Sequence, residues 1–203
     1  MSTDIRDLAG NWIGAIGTTI GAIGQTEVLA GRHVIGQHLW IIGKGIQGVG
    51  AAIQAVAEEE KPFAELGNWF ISAGSSTVSA LGVKDLPNAY KKEIKEATRQ
   101  NDKKEQEKTK EDQENLQVII IGNALQSIGA YIVGTEREHP KRRIGGIVQS
   151  LGALIEGIGN LYELSSEEKI AQQLAVVGAW LQSFGTTLQA VGTTDEYWED
   201  SAT

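Results

Sequence analysis

The chain has 203 residues, 41% of them hydrophobic and 22% charged, with a formal net charge of −8. These values are typical of a soluble globular protein with ample material for a core. The absence of cysteine excludes disulfides and thiolate metal sites, and the acidic balance argues against nucleic-acid binding through a basic surface. The first residues lack the basic start and apolar run of a signal peptide, so we expect a cytoplasmic protein.

Six segments predict six helices, because in each of them glycine returns at intervals of seven residues. We expect the following bounds: residues 4–25 with Thr3 or Asp4 as N-cap, a second helix ending near Ala57, residues 62–82, residues 116–134, a fifth helix starting at Pro140, and a sixth that opens at a capping box, Ser165 to Glu168, and runs through Gly192 to a loose acidic tail.

Residues 178–192 show the heptad most clearly: Gly-Ala-Trp-Leu-Gln-Ser-Phe-Gly-Thr-Thr-Leu-Gln-Ala-Val-Gly. On a helix of about 100° per residue, the apolar residues form one stripe and the glycines form a row along its edge. Gln182, Ser183, Thr186 and Gln189 form the opposite face. We call each row of glycines a glycine rail. A helical glycine costs about 1 kcal/mol relative to alanine, so the rails indicate close approach of a neighbouring backbone.

The helices fall into two sets of three. The leading glycines of the second set follow those of the first at intervals of about 110 residues, and the breaks between helices are spaced alike. The predicted fold is therefore all-α, with six antiparallel amphipathic glycine-rich helices in two tandem three-helix repeats. The repeats are residues 1–87 and 116–203, and residues 88–115 form a charged connector, expected to be helical, within one packed domain.

No stretch of the chain spells a recognisable chemistry. His33 and His38 are five residues apart, the wrong spacing for one helical face. Glu136-x-x-His139 is one half of a di-iron motif without its second half, and we interpret it as a surface turn. The glycines lie inside helices, with no strand before them as a dinucleotide site requires. We expect a protein that is not an enzyme, with no catalytic, cofactor-binding or metal-binding residues and no cofactor.

Three tryptophans, Trp12, Trp69 and Trp180, hold equivalent places in the heptads. They are candidates for a ligand platform, but packing in the core or between helices is the more frequent use and is favoured here.

A membrane location is the alternative to a soluble bundle. Residues 8–26, 116–135 and 170–194 contain no charge and are long enough to span about 30 Å of hydrocarbon. Each of them also has a coherent polar face, and Lys44 and Glu156 interrupt the other two glycine helices. A soluble bundle, with its apolar stripes turned inward, is therefore favoured. The alternative is a membrane-active protein of the bacteriocin or holin kind.

The phrases Gly-x-Trp-Leu-x-Ser-x-Gly and Leu-x-Ala-Val-Gly resemble those of uncharacterised repetitive helical proteins of Gram-positive bacteria. The resemblance covers most of the chain outside the connector and implies a helical repeat without catalytic residues. We therefore expect a structural or protein-interaction protein that binds another protein or a second copy of itself, and no nucleic acid.

Overall fold

The computed structural model describes residues 4–58, 61–98 and 109–202. Within these ranges the protein is all-helical, as predicted, with six helices: α1 (Ile5–Leu29), α2 (His33–Ala57), α3 (Pro62–Ala97), α4 (Lys110–Thr135), α5 (Pro140–Leu164) and α6 (Glu168–Ser201). The predicted connector is divided between α3, which takes residues 88–97, and α4, which takes 110–115. Its middle, residues 99–108, lies outside the described residues. The division into two three-helix repeats stays a prediction.

Most helix starts follow local sequence signals. The Asp4 carboxylate caps α1 by accepting a hydrogen bond from the Arg6 backbone N–H at 2.7 Å. Hydrogen bonds from the Arg6 side chain and backbone lower the pKa of this carboxyl from its ordinary value. Prolines open α3 and α5, where a missing N–H costs nothing.

Three predicted boundaries are wrong. Instead of fading near Gly82, α3 continues through Pro87 to Ala97, and α6 continues past Gly192 to Ser201. Polar contacts hold both extensions, among them the ion pair of Lys92 in α3 with Glu168 in α6. The capping box expected before α6 is not formed, because Ser165 ends α5 and the N-cap Glu167 makes no side-chain cap bond.

The six helices close into a ring. Among the described residues, each helix packs against the helices before and after it in the chain, and α1 packs against α6. In such a ring α2 lies opposite α5, and α3 lies opposite α6. The start of α1 and the end of α6 share one end of the ring, the termini end. The other end, where α3 ends and α4 begins, is the connector end.

Glycine rails join the helices in pairs. A Cβ atom on Gly17 of α1 would lie 2.5 Å from the Gln47 backbone nitrogen and 2.8 Å from the Gly43 carbonyl oxygen of α2. No real Cβ approaches backbone atoms so closely, so these sites accept only glycine without rearrangement. Paired helices run in opposite directions, because the residue numbers of the contacting glycines increase along one helix while they decrease along the other. The contacts are Gly10 with Gly50, Gly17 with Gly43 and Gly24 with Gly36 in α1 and α2; Gly67 with Gly129 and Gly74 with Gly122 in α3 and α4; Gly145 with Gly185 and Gly152 with Gly178 in α5 and α6.

Hydroxyl groups mark the interfaces between these pairs. Thr18 of α1 and Thr186 of α6 are hydrogen bonded at 2.6 Å, and the Ser79 hydroxyl of α3 donates to the Ile41 carbonyl of α2 at 2.8 Å. At the α4–α5 interface, the Ser127 hydroxyl donates to the Ser150 carbonyl at 3.0 Å. Rail contacts and hydroxyl-bearing contacts therefore alternate around the ring, and one further close glycine contact, between Gly134 of α4 and Gly146 of α5, lies in a hydroxyl-bearing interface.

The helices turn their polar faces inward, which reverses the orientation expected for a soluble bundle. Gln182 is 1% exposed, whereas Phe184, two residues further along the same helix, is 63% exposed. The rails explain the reversal. Close approach at a glycine directs the residues one and four places after it into the ring, and these are mainly polar: Asn11, Lys44, Gln47, Asn123, Gln126, Glu156, Gln182, Thr186 and Gln189. The buried apolar residues are mainly alanines, with two small clusters of larger side chains among α2, α3 and α4.

Candidate functional site in the polar interior

An ion pair crosses the middle of the ring. The Lys44 ammonium of α2 lies 2.7 Å from the Glu156 carboxylate of α5, the helix opposite, and both side chains are 5% exposed. The ammonium also donates to the side-chain oxygens of Gln126 at 3.2 Å and Gln182 at 3.4 Å. Gln47 donates to the same oxygen of Gln182 at 3.3 Å. These five residues, from α2, α4, α5 and α6, form the central cluster.

The central cluster retains hydrogen-bonding capacity. The Gln47 side-chain oxygen, the Gln182 side-chain nitrogen and one Glu156 oxygen are buried without a hydrogen-bond partner among the described residues. Buried polar atoms are nearly always paired, because an unpaired one costs about 1–3 kcal/mol. Two acceptors and one donor are thus available to a small polar guest.

Two small cavities adjoin the cluster. One, of about 20 Å³, is bordered by Gln47 and by polar side chains nearer the termini end, among them Asn11, Gln54, Gln149 and Gln189. The other, of about 10 Å³, is bordered by Lys44, Gln47, Glu156 and Gln182. By the same measure one water molecule needs about 10–15 Å³. The polar interior therefore contains two cavities of about the size of a water molecule, and Gln47 borders both of them.

Charged side chains close the termini end. Arg142 of α5 binds Asp7 of α1 at 2.6 Å and Glu196 of α6 at 2.5 Å, and lies 3.8 Å from Glu58. Arg137 also pairs with Glu58. We call these five residues the end cluster. Among the described residues, these side chains join segments that follow α2 and α4 to α1, α5 and α6.

The end of α3 closes the connector end. The Glu93 carboxylate accepts a hydrogen bond from the Val34 backbone N–H in the first turn of α2 at 2.7 Å. The Lys92 ammonium pairs with Glu168 at the start of α6, the helix opposite, at 2.9 Å. Tyr90 also stacks edge-on against His38. This part of α3 therefore lies over the mouth of the ring.

The histidines do not meet. His33 is buried at the start of α2, His38 contacts Tyr90, and His139 is the N-cap residue of α5. No group of three or more His, Asp or Glu side chains that could hold a metal ion occurs in the part of the chain that the structure describes.

Of the three tryptophans expected in the core or between helices, none lies in the core: all are on the outer surface, where two of them join α1 to α6. Trp12 of α1 donates to the Thr194 hydroxyl of α6 at 3.0 Å, and Trp180 of α6 donates to the Thr26 hydroxyl of α1 at 3.1 Å. These two therefore tie α1 to α6 from outside, while Trp69 contacts only Glu65 of its own helix by a hydrogen bond. The tryptophans point outward because the helices turn their polar faces into the ring, which leaves the apolar stripes on the outside.

Large apolar side chains cover most of the outside of the ring, apart from the middle of α3, which exposes Ala73, Ser76 and Ala80. We call this surface the apolar belt; its members include Ile16, Ile23, Ile35, Ile42, Val49, Leu66, Val118, Ile121, Ile128, Ile144, Leu151, Leu154, Val177 and Phe184, all more than one-third exposed. A soluble monomer rarely exposes an apolar surface of this extent. Among the described residues, α2, α4 and α5 are long and apolar enough to cross a membrane.

Sequence reasoning missed the central cluster, although one signal for it was present. Lys44 and Glu156 are the only Asp, Glu, Lys or Arg residues in residues 33–57 and 144–162, and both lie one or four places after a rail glycine. A single charge in an otherwise uncharged helix is a signal that the charge has a partner.

Comparison with known proteins adds a family but no activity. No curated protein and no solved structure matches the chain. One family, described as "Family of unknown function (DUF6944)", matches residues 5–190, which include five of the six helices completely and most of α6. The chain therefore belongs to this family of unknown function.

Proposed function

We propose that the protein is an integral membrane protein whose six helices span the bilayer as a closed ring, and that its polar interior is a path for small hydrophilic molecules. The proposal rests on one observation, the inverted distribution of polarity. Glutamines and an ion pair fill the interior, while isoleucine, valine, leucine and phenylalanine cover the exterior.

The dimensions of the apolar belt support a bilayer as its environment. The shortest helices, of 25 residues, extend about 37 Å at about 1.5 Å per residue, against a hydrocarbon thickness of about 30 Å. Every helix has an uncharged middle apart from Lys44 and Glu156, and both of these point inward. Charges thus lie at the two ends of the ring, where a membrane meets water.

The glycine rails also support the proposal. Lipid supplies no hydrophobic force to drive helices together, so membrane helices associate through small residues that allow close backbone contact. The rails between α1 and α2, and between α5 and α6, place glycine against glycine in this way. We propose that the glycine-heptad helical proteins of Gram-positive bacteria that this chain resembles are membrane proteins of the same kind. We also propose that the role of this protein is non-catalytic.

The competing proposal is a cytoplasmic protein whose apolar belt is covered by a partner protein. It requires a partner that surrounds the ring, because the belt includes residues of all six helices. In that case the protein would be found in the soluble fraction, and any membrane-associated part would be released by alkaline carbonate.

A membrane-fractionation experiment separates the two proposals. We expect the full chain to stay with membranes after alkaline carbonate and to need detergent for extraction. Ile121→Arg, in the middle of α4 and on the belt, should reduce the inserted fraction, since an arginine at the bilayer centre costs about 2.5–3.5 kcal/mol. Glu111→Arg, at the charged start of the same helix, is the matched control and should insert normally. Release of the wild type by carbonate, or normal insertion of Ile121→Arg, would contradict the proposal.

A further inference from the structure

We propose that the central cluster is the constriction of the interior path, and that the Lys44–Glu156 pair makes this path pass water and small uncharged molecules while rejecting ions. This inference rests on the membrane-spanning function proposed above.

The position of the pair makes it a constriction. Lys44 and Glu156 come from opposite helices, so their contact at 2.7 Å spans the interior. Gln126 of α4 and Gln182 of α6 approach the same ammonium from two further directions. A molecule that moves along the interior must therefore pass among these side chains.

The charges of the pair explain the rejection of ions. The paired cluster has no net charge, so it supplies no attraction to offset the cost of stripping water from an ion. Rings of like charge give channels their selectivity for one class of ion, whereas a close pair of opposite charges presents no net charge to either class.

The amides of the cluster suit an uncharged guest. The unpaired atoms of Gln47, Gln182 and Glu156 offer two acceptors and one donor, and water can both donate to the acceptors and accept from the donor. The adjoining cavities are of water size, and Gln47 borders both of them. Among the described residues, side-chain ion pairs join the helices at the termini end, and the end of α3 lies over the connector end, so both must move for the path to open.

The test uses the full chain in liposomes, with three measurements: the rate of osmotic shrinkage, the potassium flux and the chloride flux. We expect the wild type to speed shrinkage while both ion fluxes stay at the rate of protein-free vesicles. Lys44→Gln leaves the Glu156 carboxylate unpaired and should raise potassium flux about tenfold, with chloride unchanged. Glu156→Gln leaves the Lys44 ammonium unpaired and should raise chloride flux instead.

Two double variants serve as controls. Lys44→Glu with Glu156→Lys restores a pair with its charges exchanged, and should reject both ions as the wild type does. Lys44→Gln with Glu156→Gln leaves no unpaired buried charge, so it tests the idea even where the single variants do not fold. Because it too has no net charge, we expect it to reject both ions as the wild type does.

The outcomes separate this inference from the function on which it rests. Insertion of each variant is measured independently by carbonate resistance and helical circular dichroism. Failure of the wild type to insert overturns the membrane function itself. Inserted single variants that show equal ion fluxes, or an inserted double-glutamine variant that passes either ion faster than the wild type, overturn the role assigned to the charge balance of the pair.

Discussion

The glycine rails yield a prediction in which two glycines of one helix respond in opposite directions to the same substitution. Gly17 and Gly21 are one helical turn apart in α1, and both are buried. A Cβ on Gly17 would lie 2.5 Å from the Gln47 nitrogen, whereas a Cβ on Gly21 would meet nothing within 4 Å. Alanine at the two positions therefore changes helix propensity equally but packing very differently.

The magnitudes follow from these contacts. Alanine returns about 1 kcal/mol of helix propensity at either site. At Gly21 nothing opposes that gain, so Gly21→Ala should stabilise the protein by up to about 1 kcal/mol. At Gly17 the methyl group forces two backbones apart, and overpacking of this kind costs about 1–3 kcal/mol before the propensity gain is subtracted. Because the obstructing atoms are backbone, rotation of a side chain offers no relief, and we expect a net destabilisation.

The assay is denaturant titration of the detergent-solubilised protein, followed by helical circular dichroism. The difference between the two variants should be about 1–3 kcal/mol, seen as a lower denaturant midpoint for Gly17→Ala than for Gly21→Ala. Equal stabilities, or a Gly17→Ala variant more stable than Gly21→Ala, would show that α1 and α2 do not approach each other at the rail.

Two further predictions use the same titration. Arg142→Met leaves Asp7 and Glu196 without their buried partner and should destabilise the protein by about 3–5 kcal/mol. The control Lys141→Met removes an exposed ion pair and should cost less than about 1 kcal/mol. Equal losses of stability in the two variants would mean that the end cluster is open to water. Trp180→Phe removes the hydrogen bond to Thr26 and should cost about 0.5–1.5 kcal/mol, and an unchanged stability would contradict the tie between α1 and α6.

Local sequence signals predicted the number of helices and several of their ends. Pro62 and Pro140 open helices as expected, and Asp4 caps α1. The ends of α3 and α6 were missed, because the contacts that hold them are made to distant parts of the chain. Lys92 binds Glu168, and Arg142 binds Glu196, at separations that no local pattern reveals.

Pairing of the charged residues was also beyond prediction from one sequence. Lys44 and Glu156 are separated by 112 residues, and they meet only because the ring closes between α1 and α6. The heptad indicates that each helix has close neighbours, but it does not say which helix lies opposite which. The central cluster therefore becomes visible only once the order of helices around the ring is known.

The positions of the residues around each helix do not by themselves determine which face is buried. A rail borders both the polar face and the apolar face, so close approach at glycine is compatible with burying either one. The composition of the polar face distinguishes them. A helix that turns its polar face to water usually carries several charges there, because lysine and glutamate side chains are well solvated and keep the protein from aggregating. Here the middle of that face carries amides and hydroxyls, with single charges in α2 and α5 that bind each other. Such a face suits an enclosed interior, where glutamines pair with glutamines, and the uncharged apolar stripe is then left for the exterior.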